Sequence, residues 1–100
     1  MAFLSELELI IHDRIRSKSP DSYVATLCNS GLRRIAQKVG EEAVEFALAA
    51  VDGNRSEQVE EAADLLFHVQ VLLASLDISL TEVDDCLRLR HGSREGRPVR

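Results

Sequence analysis

The chain has little of what strands and tight loops are made from. Only two prolines and five glycines occur in 100 residues, and no valine or threonine run alternates with polar residues. With 45% of residues apolar, 29% charged and the glycines mostly near helix ends, the pattern is that of an all-α protein. A basic surplus is also missing: 17 acids against 12 lysines and arginines leave a net charge of -5. Domains that neutralise a nucleic-acid backbone carry a clustered basic face, so this balance argues against nucleic acid as the partner. An acidic chain can still hold a polyphosphate, because a divalent cation inverts the local charge logic.

Other absences narrow the class further. Cys28 and Cys86 stand far apart, with no CxxC spacing and no histidine spacing that suggests zinc, which reads as bystander thiols in a reducing compartment. No apolar run approaches the ~20 residues of a membrane span. The opening "MAFLSELELIIHDRIR" has neither a basic leader nor a long apolar core, so no signal peptide is read and a cytoplasmic protein without membrane contact is expected. P-loop, GxGxxG, nucleophile-elbow and HExxH motifs do not occur, nor do repeats at solenoid periods. One domain is expected over residues 1–91, with residues 92–100, rich in arginine and glycine, fraying as a tail.

What is present is helical punctuation. Ser5 can cap a first helix running to about Arg16, and "SKSPDS" ends it. A short helix follows over Tyr23 to Cys28, capped by Asp21 or Ser22, with Gly31 as a left-handed stop. A third helix covers about Leu32 to Val51. The turn "DGNRS" joins it to a fourth over about Glu57 to Leu76, capped by Asn54 or Ser56, long enough for an antiparallel hairpin. Thr81 with Asp84 resembles a capping box for a fifth helix through about Arg90.

The chemistry lies in the hairpin. At ~100° per residue, Glu41, Glu42 and Glu45 fall within one arc of the third helix, with Lys38 one turn earlier. The rest of that helix from Val39 onward is apolar, and a helix apolar nearly all round is expected to be buried. On the fourth helix Glu57, Glu60, Glu61, Asp64 and His68 share an arc in the same way. A short turn lets the two stripes converge, bringing Glu41, Glu42, Glu45, Glu61 and Asp64 together.

Carboxylates meeting in a partly dry groove repel, and a hard divalent cation resolves the repulsion. All-oxygen ligands suit Mg²⁺ or Mn²⁺ rather than zinc, and Mg²⁺ shares its coordination with substrate phosphates. A phosphate anhydride is therefore the expected substrate class. The plainer reading of an EExxE pattern is a solvated helix face; its occurrence on two adjacent helices, both otherwise apolar, favours the metal site. Glu45 or Glu42 is the candidate general base. His68, one turn after Asp64, can orient a carboxylate or touch substrate, though a lone histidine on a buried helix is as often structural.

These residues carry a resemblance. "KVGEEAVEFALAA" followed by "EEAADLLFHVQVLL" is similar to the phosphoribosyl-ATP pyrophosphohydrolase family, within the MazG-like all-α pyrophosphatases, whose ExxE…ExxD pattern is met by Glu42, Glu45, Glu61 and Asp64. "DSYVATL", "SGLRRIAQKVGEEA" and "ISLTEVDDCLRLRHG" extend the resemblance over nearly the whole chain; Phe67 departs from it, where the family often has tyrosine. The resemblance implies Mg²⁺-dependent hydrolysis of the α–β anhydride of phosphoribosyl-ATP to phosphoribosyl-AMP and pyrophosphate, the second step of histidine biosynthesis. A cyclohydrolase domain is not expected in so short a chain. Lys38 would offer a point charge to a phosphate, or simply pair with the acids. Ser22 and Tyr23 open a helix whose N-terminal amides favour anions, although capping and packing explain them equally. Lys18, Arg33 and Arg34 are further phosphate candidates, surface charge being their plainer role. The apolar surface left over by a five-helix bundle predicts a homodimer, which the resemblance also implies. The rivals are a MazG-like (d)NTP pyrophosphatase that cleans nucleotide pools and a helical dimerisation module without enzymatic activity.

Overall fold

A computed structural model describes residues 2–93. It contains five helices and, among the described residues, no strand: α1 (Ala2–Ser17), α2 (Tyr23–Asn29), α3 (Leu32–Asp52), α4 (Arg55–Ser75) and α5 (Leu80–Ser93). The all-α expectation holds. The hairpin of α3 and α4 is the frame of the molecule, and α1 and α2 pack across one end of it.

The helix ends follow from local chemistry. α1 begins at Ala2, so Ser5 lies inside the helix rather than capping it: Ala2, Phe3 and Leu4 have no feature that stops a helix. Ser22 caps α2, its Oγ accepting from the Ala25 amide at 3.2 Å. Gly31 has φ 102° and ψ 161°, an extended backbone with positive φ rather than the expected left-handed helical stop, and it is reached easily only without a Cβ. Asn54 and Glu57 form a reciprocal capping box at the start of α4, both bonds 2.9 Å long.

Two devices lock the hairpin turn. A Cβ on Gly53 would stand 2.8 Å from the Ala49 carbonyl oxygen, so only glycine fits. The Gln58 amide donates to the carbonyls of Ala49 and Gly53, each at 3.1 Å, adding a second bond to the Ala49 oxygen that already accepts from the Gly53 amide.

α4 ends in a Schellman motif: Asp77 takes φ 58°, the Ile78 amide donates to Leu73 and the Asp77 amide to Ala74. α5 then leaves at 106° to α4. Its capping box uses Ser79 with Glu82, not Thr81 with Asp84. Glu8 of α1 adds a 2.8 Å bond from the Leu80 amide to its carboxylate, placing a negative group at the positive end of α5. α5 runs on to Ser93, into the stretch expected to fray; residues 94–100 lie outside the described residues.

The core sits at the end of the hairpin away from the turn. Ile11, Val24, Leu27, Ile35 and Val71 are buried there, with Leu7, Ile15, Phe67 and Leu72 packed around them. The other half of the hairpin is bare in the single chain: Val44, Leu48 and Val59 are each about 60% exposed and Val51 81%. The expectation that α3 is buried throughout fails for one chain alone, where only Ile35 and Glu42 of that helix are buried. No single helix among the described residues is long and apolar enough to cross a membrane.

Candidate active site

The hairpin crosses the two acidic stripes in its middle. Glu42 and Glu45 of α3 and Glu61 of α4 each turn a carboxylate oxygen to within 4.8 Å of the others. Their burial is graded: Glu42 is buried, Glu61 half-buried and Glu45 exposed.

Each acid is treated differently by its neighbours. Lys38 donates to Glu42 at 3.3 Å, one turn back on the same helix. That hydrogen bond is the main reason the ammonium is held above its usual pKa range, working against partial loss of water, with Tyr23, Glu42 and Glu41 adding to it. Glu45 has no hydrogen bond or ion pair with any described residue. The Glu61 carboxyl is pushed up, first by loss of water and then by the charges of Glu45, Asp64, Glu42 and Glu60. Its Oε1 is out of contact with solvent and accepts no hydrogen bond. Such an orphaned acceptor among like charges is costly unless a cation completes it, so the donor set fits a hard divalent ion.

Glu41 and Asp64, expected in the same cluster, stand outside this triplet. Glu41 points along α3, where Gln37 donates to it at 2.9 Å and Lys38 and Arg34 approach to 3.6 and 3.9 Å. Asp64 is exposed and acts on Glu61 through its charge. Adjacent residues such as Glu41 and Glu42 are ~100° apart around a helix, so one rotation of α3 cannot aim both at α4.

His68 is buried on α4, with Nδ1 2.7 Å from the Asp64 carbonyl oxygen and Nε2 2.9 Å from the Tyr23 hydroxyl. The Tyr23 ring stacks on Phe67 at 6.2 Å and 28°. Ser22 spends its hydroxyl as the cap of α2. The link between Tyr23 and His68 spans 45 residues, and no local pattern announces it. The Gln37–Glu41 pair escaped the sequence reading although its i, i+4 spacing is a visible signal.

From Glu45 and Glu61 a groove of about 400 Å³ runs toward the hairpin turn, walled by Leu48, Ala49, Asp52, Gly53 and Glu57. A second cleft, about 470 Å³, lies between the end of α1 and α2 against Lys18, Thr26 and Cys28. Lys18, with φ 53°, belongs to that cleft, and Arg33 is exposed on the first turn of α3. The carboxylate groove is the chemically equipped one of the two.

Residues 4–91 match the family model of phosphoribosyl-ATP pyrophosphohydrolase. The chain belongs to this family. The match to phosphoribosyl-ATP pyrophosphohydrolase takes in the whole hairpin and every site residue described above. The chain is 50% identical over 91 residues to the phosphoribosyl-ATP pyrophosphatase of Pyrobaculum islandicum, covering 91% of this chain and 95% of that one. The Pyrobaculum neutrophilum phosphoribosyl-ATP pyrophosphatase is 51% identical over 80 residues, 80% of this chain and 85% of the relative. The histidine biosynthesis bifunctional protein HisIE of Salmonella typhimurium is 51% identical over 89 residues, 89% of this chain; the chain spans only 44% of that longer protein.

Proposed function

We propose that the chain hydrolyses the α–β phosphoanhydride of phosphoribosyl-ATP, giving phosphoribosyl-AMP and pyrophosphate, as the second step of histidine biosynthesis. The observation that carries this reading is the triplet Glu42, Glu45 and Glu61 at the head of a groove, with Glu61 Oε1 left without a partner. The names of the Pyrobaculum and Salmonella relatives support the substrate and the pathway.

Glu42, Glu45 and Glu61 would hold Mg²⁺, with Mn²⁺ as a substitute. When bound, the ion supplies neutralisation of phosphate charge. The remaining work falls to the chain. Glu45, exposed and free of hydrogen bonds and ion pairs with described residues, is the better placed of the two candidate bases to take a proton from water; Glu42 is held by Lys38. Lys38, already at the buried acid, can offer a further N–H to a phosphate oxygen, since its ammonium has three donors. Asp64 and Glu41 add negative potential at the rim.

A homodimer belongs to the same proposal. Val44, Leu48, Val51 and Val59 leave apolar surface exposed on the hairpin, and a second copy of the hairpin would cover it. The chain is read as a cytoplasmic protein.

The test is pyrophosphate release from phosphoribosyl-ATP, with ATP and dNTPs in parallel, in Mg²⁺ and in excess chelator. Metal-dependent release from phosphoribosyl-ATP alone is expected. Turnover of ordinary triphosphates would move the function to nucleotide-pool cleaning, and no turnover would leave a helical dimerisation module.

A further inference from the structure

The Tyr23–His68 pair decides what the tyrosine oxygen can say to a ligand. A backbone carbonyl only accepts, so the 2.7 Å contact with Asp64 puts the proton of the neutral imidazole on Nδ1. Nε2 then carries a lone pair, and the Tyr23 hydroxyl 2.9 Å away must be the donor. The arrangement is held from several sides: His68 is buried, and its ring meets Tyr23 edge-on at 81° and Phe67 edge-on at 84°. The hydroxyl proton is thereby directed inward.

What remains for the outside is the oxygen's acceptor capacity. Tyr23 is 50% exposed, and its partner His68 is bonded to the backbone of Asp64, which stands one turn along α4 from Glu61 of the carboxylate triplet. An oxygen whose proton is committed elsewhere repels phosphate oxygens, which are acceptors too. It can bind an O–H or N–H instead.

We propose that Tyr23 contacts the nucleoside or ribosyl part of the substrate as a hydrogen-bond acceptor, with His68 as the positioning residue that sets this polarity. The inference rests on the pyrophosphohydrolase reading above and replaces the role of anion binder at the α2 N-terminus, where Ser22 is in any case occupied by capping.

The experiment compares the wild-type chain with Tyr23→Phe, His68→Gln and His68→Phe, measuring KM for phosphoribosyl-ATP and inhibition by inorganic tripolyphosphate with Mg²⁺. Tyr23→Phe is expected to raise KM about threefold to tenfold, the loss of one neutral hydrogen bond, and to leave tripolyphosphate inhibition unchanged. His68→Gln keeps an acceptor for the hydroxyl and should stay close to wild type. His68→Phe frees the hydroxyl to donate outward and should strengthen tripolyphosphate inhibition. ATP, its 2′-deoxy and 3′-deoxy forms and the analogue without the exocyclic amine then locate the donor: the form lacking it binds wild type and Tyr23→Phe alike. Equal binding of ATP itself to both would put the donor on the phosphoribosyl group. Unchanged KM in Tyr23→Phe, or an equal loss for tripolyphosphate, overturns the proposal while wild-type turnover leaves the parent reading standing. A wild-type chain without turnover of phosphoribosyl-ATP overturns both.

Discussion

Lys38 Nζ stands 3.3 Å from Glu42 Oε2, and this bond joins the buried member of the carboxylate triplet to the only cation paired with it among the described residues. The lysine side chain is about one-fifth exposed and that of the glutamate less than one-tenth. The pair therefore lies between the weak surface and the strong buried regimes of ion pairing. Lys38→Met is expected to lower metal-free stability by about 1–2 kcal/mol. Urea unfolding with and without Mg²⁺ checks it: the ion should recover part of the loss, because it neutralises the same carboxylate.

Glu61 gives the metal-free protein a pH dependence. Its carboxyl is held above the usual range by lost water and by Glu45, Asp64, Glu42 and Glu60, so the folded state binds this proton more tightly than the unfolded one. The stabilisation is complete below the ordinary glutamate pKa and is lost as pH rises through the elevated folded value. In chelator, melting temperature should fall across that window, and Glu61→Gln should flatten the fall. Glu61→Gln should also weaken Mg²⁺ binding, read by calorimetry at neutral pH. A Glu61→Gln chain that melts with the wild-type pH profile would contradict this account.

Gln58 donates to the carbonyls of Ala49, Ala50 and Gly53 at the end of α3, and Gly53 stands where a Cβ would meet the Ala49 carbonyl oxygen at 2.8 Å. Gln58→Ala exposes those acceptors to competition with water and should cost about 1 kcal/mol. Gly53→Ala pushes a Cβ against the Ala49 carbonyl and should cost about 1–3 kcal/mol, since backbone must shift. Because the turn is also the floor of the groove, both variants should lower kcat/KM even at temperatures where they stay folded.

Val51 is 81% exposed and Leu48 59%, on the face of α3 that no described residue covers. Leu48→Glu with Val51→Glu should turn the proposed dimer into a monomer, seen as a halving of mass in light scattering at micromolar concentration. If the pair instead faces solvent, the double variant keeps the wild-type mass.

Some of this was visible in the chain and some was not, and the division has physical causes. Hydrophobic period and capping residues are local, so the five helices could be read directly and the caps of α2 and α4 narrowed to Asp21 or Ser22 and to Asn54 or Ser56, of which Ser22 and Asn54 are the caps. The cap of α5 could not. Ser79–Glu82 and Thr81–Asp84 both satisfy the capping-box spacing, and the choice coincides with a carboxylate from Glu8, 72 residues away. The acidic stripes were equally plain, but spacing alone cannot say which acid of a stripe faces the partner helix.

Two adjacent helices joined by a short turn, each apolar except for one acidic arc, already determine by sequence that carboxylates will meet along a hairpin. Only the rotation of α3 against α4 decides that Glu42, Glu45 and Glu61 form the cluster while Glu41 is drawn to Arg34, Gln37 and Lys38. The docking of α2 on α4 likewise decides that the Tyr23 hydroxyl meets His68. Helical periodicity is a property of neighbours in the chain, whereas rotation and docking are set by packing among Ile11, Val24, Leu27, Ile35 and Val71, which the chain brings together only on folding.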